Sequence, residues 1–485
     1  FDLRVAWIGW ILRLIVWSIR SVLDSVFGWV MMAQQALSRE MEFQADLVAA
    51  SLTGSDALVH ALHRLDAADS AMDSALAAAE RQAQDEKRVT DLFSIQSHYL
   101  ERTGEILDDP SYGQVPDLPD DAAGHRVFRA KLAHPPRMWA SHPPNDLREE
   151  NVKKHYLSAK LDNRSSWILF GDAKAVREQV SASVFKDQEN LPPLISTEDA
   201  IAEIETRFEK HYLDPAYRGV YLGRSIARAH AEAEDMASST TDIGDVRQAL
   251  NDLYPASLTK LLQEHRELEE EQAMLQAVEK GILDLPGKML NYRGQEYHRR
   301  ELPTLLSQVE ASLKEANETL SEHDQRARAV HRRAAELTSP EWKQYLTGLA
   351  DIIHYADHRE ADLTDAMETL GNVLSVVMAD GRVTDSEIKR LTIAAGEPHA
   401  VLGAIHVEAA KIDIGPVLIE RMETESWQKL LGDYELSPPS EENIGEWIEA
   451  VPSWASSCVA DLSRLSSQAL DELLAAEEKV ALASS

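Results

Sequence analysis

From residue 5 to residue 33 the chain is nearly all apolar, "VAWIGWILRLIVWSIRSVLDSVFGWVMMA", with Arg13, Arg20 and Asp24 as interruptions. A simple transmembrane helix needs roughly 20 uninterrupted apolar residues, and these charges deny the segment that length. Three placements fit: a bilayer helix whose arginines snorkel or face protein, a helix lying in the membrane interface with Arg13 and Arg20 on its polar side, or an amphipathic helix of a soluble core. The tryptophans suit the interface. Beyond this segment, apolar residues recur at helical spacing through an Ala-rich stretch to about residue 105. "LDDPSYGQVPDLPDDAAG", residues 107–124, reads as an acidic Pro- and Gly-rich loop. "SSWILFGDAKAV", residues 165–176, reads as a short strand closed by Gly171 and Asp172, followed by a helix.

The second half keeps the helical period. Pro192 and Pro193 mark a boundary, and Ser196 with Asp199 form a capping pair that starts a new helix. Leu261, Leu268 and Leu275 recur every seven residues, as do Leu306, Leu313 and Leu320 beside Leu302, Val309 and Ala316. Two such seams predict an antiparallel helical hairpin, a structural stalk. Ser339 and Pro340 are placed to cap and open the next helix. Further on, an apolar helix is expected to end at an Asp380-Gly381 turn, with Thr384 and Glu387 at capping-box spacing. In "HYADHREAD", His354, Asp357 and His358 share a helix face at metal-ligand spacing; lacking a central Glu and set among charges, they are expected on a solvated face.

Composition narrows the function. A formal net charge of −33 argues against nucleic acid as a partner, since phosphate binding needs clustered Lys and Arg. The single cysteine, Cys458, excludes an intramolecular disulfide and a Cys-based zinc cluster and fits a reducing compartment. No Gly-rich phosphate loop and no Gly-x-Ser-x-Gly elbow occur. Because the chain opens on Phe inside an apolar run, it is expected to be a fragment of a longer polypeptide.

One short stretch carries candidate chemistry, "SREMEFQADLVAA", residues 38–50. Glu42 and Asp46 are four apart, so on a helix they emerge from one face and repel by a few tenths of a kcal/mol. Their charge is compensated either by a salt bridge to Arg39 or by a metal cation with Glu42 as its oxygen ligand. The stretch resembles the second metal motif of the M48 metallopeptidases, the family of Ste24 and HtpX: Ser38, Arg39, Glu42, Ala45 and Asp46 fill its Ser-Arg-x-x-Glu-x-x-Ala-Asp pattern. Downstream, "SHPPNDLREENV" is similar to the family's His-Pro with an Arg six residues later, here His142, Pro143 and Arg148. His134 heads a second His-Pro-Pro but has no such Arg.

The resemblance implies zinc as cofactor, with Glu42 as its third ligand, Asp46 accepting a hydrogen bond from a ligating imidazole, and His142 and Arg148 donating to the oxyanion of a scissile carbonyl. The other two ligands and the general base belong to a His-Glu-x-x-His helix, absent from all 485 residues and expected upstream of Phe1. The chain alone should therefore be inactive. The Glu42 to His142 gap also implies an insertion. Residues 365–400 carry a weaker resemblance to the "ADG" turn of the all-helical TerB (tellurite-resistance) domains.

The expectation is thus a mostly α chain, a membrane-associated zincin-like peptidase remnant followed by a helical hairpin and a helical carboxy-terminal domain. Its segments would be 1–36 (membrane or interfacial), 37–192 (peptidase-like), 193–338 (hairpin) and 339–485 (helical, TerB-like in part). Protein or peptide substrates are the implied partners, the membrane is met through residues 1–36, and helices 255–336 are available for a protein partner or self-association. The bacterial inner membrane, with the acidic helical bulk in the cytoplasm, is the expected location. The competing reading is a non-catalytic membrane-tethered scaffold or sensor.

Overall fold

The structure, a computed structural model, describes residues 34, 37–115, 117–119, 121–128, 143, 145–162, 164–185, 192–238, 243–279, 289–292, 295–378 and 383–483. Among them the chain is mostly α, with fourteen helices and only two pairs of short strands. No described helix is long and apolar enough to cross a membrane, and the apolar segment 5–33 lies outside the described residues. Two compact units divide the chain, residues 1–206 with 263–314 and residues 207–262 with 315–485, so each is assembled from two separate stretches.

In the first unit, helix α1 spans residues 37–53 and α2 spans Ser55–Gln84. Gly54 breaks them with a φ of 89°, and a Cβ there would come within 2.6 Å of the Ala159 Cβ; both the dihedral and the close approach call for glycine. Strand β1 (Arg88–Val89) leads to α3 (Leu92–Ile106), whose first amides, Phe93 and Ser94, donate to the Asp91 carboxylate. The alanines at 71, 75, 78 and 79 are buried on α2, giving a low-relief face on which α3 packs through Leu92 and Ile95. Helix α4 (Asn145–Lys153) also lies on α2.

Residues 166–169 form a 3-10 turn, not the expected strand, because the Ser165 hydroxyl accepts from the Trp167 amide and Trp167 packs edge-on against Phe93 at 5.1 Å. The helix expected after it is present as α5 (Ala173–Ser183), capped by Asp172. Strand β2 (Leu194–Ile195) pairs in parallel with β1, drawing the chain after Pro193 into this unit. The Ser196 hydroxyl then accepts from the Asp199 amide at 3.0 Å, opening α6 (Thr197–Phe208) as its capping pair predicts.

The two Leu seams fall on helices with the expected faces inward. Leu275, on α8 (Ser257–Glu279), and Leu302, Leu306, Val309, Leu313, Ala316 and Leu320, on α9 (Leu302–Thr338), are all buried. Between them stands a β-hairpin that the helical period did not anticipate, β3 (Met289–Tyr292) paired antiparallel with β4 (Gln295–His298). Leu290 and Tyr292 from it share a buried cluster with Leu275, Leu302 and Leu305, and the Tyr292 hydroxyl donates to Glu271.

The second unit is organised on α10 (Pro340–Met378) and α14 (Ile444–Ala483), with α7 (Val246–Asn251), α11 (Asp385–Ala409), α12 (Gly415–Arg421) and α13 (Trp427–Leu431) around them. Ser339 accepts from the Trp342 amide and Pro340 opens α10, as the sequence indicates. Thr384 and Glu387 make the capping box at the start of α11, while Asp380 and Gly381 lie outside the described residues. From Ala469 to Glu477 every residue of α14 is buried, including three acids. Each has cationic company: Glu477 takes Arg328 in two bonds of 2.6 and 2.7 Å, and Arg421 reaches both Asp471 and Glu472.

The His354, Asp357, His358 face is not solvated, contrary to expectation. Asp357 is buried and accepts from Ser225 and Ser466, and both imidazoles donate through Nε2 to the His230 carbonyl, at 3.0 and 2.9 Å. They hold an irregular segment whose backbone needs partners, so polar residues here do structural work inside the fold.

Candidate functional site

Helix α1 is amphipathic in an unusual sense. At 100° per residue, Leu37, Met41, Val48 and Leu52 lie on one narrow stripe, and they are 61, 64, 62 and 81 % exposed. Glu42 and Asp46 lie toward the opposite face, where Asp46 and Ala50 are buried. The large apolar residues therefore look outward and the acids inward, the reverse of an ordinary surface helix.

The charge that meets the acids comes from α4. Arg148 donates from Nε to one Asp46 oxygen at 2.8 Å and from Nη2 to the other at 2.6 Å, a bidentate pair spanning 102 residues of sequence. Its Nη1 stands 3.9 Å from a Glu42 oxygen, so one guanidinium faces both carboxylates. Asp46 is 4 % exposed and Arg148 17 %. The hydrogen bond to Asp46 raises the Arg148 pKa, against the opposing pull of burial.

Helix α4 is fixed in place by a second, deeper set of charges. Lys153 is wholly buried, 3.2 Å from Glu149 and 3.4 Å from Asp56 of α2, and it donates to the His125 carbonyl at 2.6 Å. Glu149, equally buried, accepts from the amides of Val127 and Phe128, both at 2.9 Å. The Ser55 hydroxyl reaches the Val152 carbonyl, Tyr156 donates to Asp56, and Asn151 donates to the Phe43 carbonyl on α1. These groups fix the angle at which Arg148 approaches α1. Sequence reading missed them: "REENVKK" has the look of a solvated stretch, and the only cue was a polar helix containing just one aliphatic residue after Leu147.

Of the residues singled out in the sequence, Glu42, Asp46 and Arg148 come together here, while His142 lies outside the described residues. Pro143 is described and buried. On the next turns of α2, His60 and His63 were not anticipated; burial lowers the His60 pKa, favouring its neutral form. Among the described residues, no three of His, Cys, Asp or Glu are grouped so as to hold a metal ion.

No family model, no curated protein and no solved structure matches the chain. The likeness to M48 motifs accordingly rests on Ser38, Arg39, Glu42, Ala45, Asp46, His142, Pro143 and Arg148.

Proposed function

We propose that the chain is the carboxy-terminal part of a membrane-associated zinc endopeptidase of M48 type, acting on peptide bonds of protein substrates. The observation that supports this reading best is the Arg148 to Asp46 pair, which joins the two separate motifs at one place although they stand 102 positions apart in the sequence. Chance salt bridges on a surface are common and weak; a buried bidentate one between motif residues is a more specific coincidence.

The chain does not complete a zinc site by itself. Glu42 is one carboxylate where a catalytic zinc takes three protein ligands, and the described residues offer no group of three. The reading requires a His-Glu-x-x-His segment in polypeptide upstream of Phe1. What the residues in hand would do is narrower. Asp46 is a positioning residue: both its oxygens accept from Arg148, in place of the imidazole that the resemblance implies. With Nε and Nη2 so engaged, the Nη1 donors toward Glu42 are the ones Arg148 would offer to a substrate oxygen. Peripheral to the chemistry, the outward stripe of Leu37, Met41, Val48 and Leu52 favours a helix that meets lipid on its far side.

Elemental mass spectrometry on the full-length polypeptide and its Glu42→Ala variant tests this. Stoichiometric zinc lost in Glu42→Ala and retained in Arg148→Ala is expected. Zinc in neither parent nor variant would overturn the reading and leave a membrane-tethered scaffold.

A further inference from the structure

A cavity of about 340 Å³ opens in the second unit, at the lower end of the volumes that hold small organic ligands. Its walls come from two 3-10 turns, His211–Leu213 and Pro215–Tyr217, from α7 and the residues after it, from α9 and from the last turns of α14. The inner part is aromatic and aliphatic. Tyr217 and Tyr254 stand with ring centres 4.9 Å apart and planes at 83°, so the two rings make a corner, and the buried Leu253 lines the same space. A 2.6 Å hydrogen bond between the Tyr254 and Tyr221 hydroxyls fixes that corner from behind.

The basic groups at the inner end are neutral or neutralised. Burial holds the pKa of His331, which lines the cavity, below its usual value, and among the described residues its Nδ1 has no hydrogen-bond partner. Arg328, over the Tyr221 ring, gives two bonds to Glu477, at 2.6 and 2.7 Å. An anion entering here would lose its water without gaining a counter-charge. The solvent side carries acids instead. Glu478 is 58 % exposed, with one oxygen 3.3 Å from the His211 Nε2, and Asp214 is exposed, with one oxygen accepting the Ala216 amide. Arg247, exposed on the same rim, is not free. Burial first, and then the charge of Glu477 and Glu478 against the opposing pull of Arg328, raises the Tyr217 pKa, so the field of the acids is felt at the aromatic corner.

We propose that this cavity binds an arylalkylammonium, a small primary amine whose aromatic ring enters the corner of Tyr217 and Tyr254 and whose ammonium stays at the mouth beside Glu478 and Asp214. A third ring completes the edge-to-face arrangement that the two tyrosines begin. The three donors of a primary ammonium suit two carboxylates that each have one oxygen already engaged, and a cation over a tyrosine face is attracted to it as well. The net charge of −33 raises the local concentration of any such cation.

The cavity lies wholly in the second unit, so zinc in the first bears on neither outcome. Phenethylammonium, 2-phenylethanol and phenylacetate, which share a ring and differ in charge, are titrated into the full chain at pH 7 and followed by saturation-transfer NMR of the ligand. The amine is expected to bind about tenfold tighter than the alcohol, and phenylacetate more weakly than both.

Glu478→Gln should weaken the amine by about threefold and leave the alcohol unchanged. Ala481→Phe, which places a ring in the same cavity from the last turn of α14, should abolish binding of both. Because Glu478 is mostly exposed, its variant keeps the fold, and the test stands on it even where Ala481→Phe does not fold. Equal affinity for amine and alcohol, tighter binding of phenylacetate, or no binding of the amine would overturn the proposal. Amine binding indifferent to Glu478→Gln would overturn it too, since the probe would then sit elsewhere on the acidic surface.

Discussion

Replacing Arg148 with Met removes the cation that faces two carboxylates while keeping most of the side chain's length. Asp46, at 4 % exposure, would then be a buried charge without its two strongest donors. Breaking a buried ion pair by deleting one partner typically costs about 3–5 kcal/mol, because the survivor keeps its desolvation penalty. Arg148 is 17 % exposed and water would reach part of the gap, which places the expected loss near the lower bound, about 3 kcal/mol. The loss should be local to α1, so hydrogen exchange of the amides in residues 41–53 is the suitable assay; at about 1.4 kcal/mol per tenfold, exchange should quicken by roughly a hundredfold.

The double variant Asp46→Leu with Arg148→Met removes both charges and should recover at least about half of the loss, since an apolar pair of similar volume carries no such penalty. Arg148→Lys should fall between, a single ammonium being unable to reproduce the two-pronged contact. Exchange in Arg148→Met within about twofold of the parent, a difference under roughly 0.5 kcal/mol, would refute the idea that the pair organises α1.

Other expectations follow from the same physical reasoning. Lys153→Met should cost about 3–5 kcal/mol by stranding Glu149 and Asp56, and limited proteolysis should then open the 122–128 segment before α1 or α2 is cut. His331 is buried beside Glu477 and Arg328, and burial holds its pKa below 6.5. The unfolded chain therefore takes up that proton more readily, so the second unit should lose stability as pH falls below about 6.5 until the folded imidazole itself protonates, and urea midpoints of His331→Gln should show a shallower decline over that range. Cys458, with its thiol pushed up to about 12, should resist iodoacetamide at pH 8 until denaturant is added; rapid labelling of the native chain would count against the packing around α14.

Period and capping made most of the helices legible in advance. The heptad leucines of α8 and α9, the Ser196 and Asp199 pair and the Thr384 and Glu387 box all act locally, and local rules suffice for them. Two errors share a different cause. "SSWILF" has strand composition, yet a serine cap and an aromatic contact with a residue more than 70 positions earlier turn it into a 3-10 turn. The β-hairpin at 289–298 alternates over too few residues for a period of two to stand out from a helical background.

At the candidate site, Glu42 and Asp46 were visible as a charged pair on one face, but the choice of Arg148 over Arg39 as the cation bonded to Asp46 depends on how α4 is angled, and that is set by Lys153, Glu149 and Asp56. Charged side chains read from sequence look solvated by default; only burial reveals which ones are framework. The same holds for His354 and His358, which clamp a loop carbonyl.

The acids buried along α14 bear on the order in which the second unit can be made. Asp471, Glu472 and Glu477 are neutralised by Arg421 and Arg328, and Tyr345 donates to Glu472, so the helix can dock only onto partners already in position. In the other direction, Arg328 has no carboxylate to meet until Glu477 has been synthesised, and the 207–262 stretch of the same unit is older still. At about 5–20 residues per second, those early segments wait on the order of ten seconds or more on the ribosome with their apolar faces uncovered. A nascent chain of this kind should depend on a holding chaperone for a defined interval, and the interval should end when the middle of α14 clears the exit tunnel.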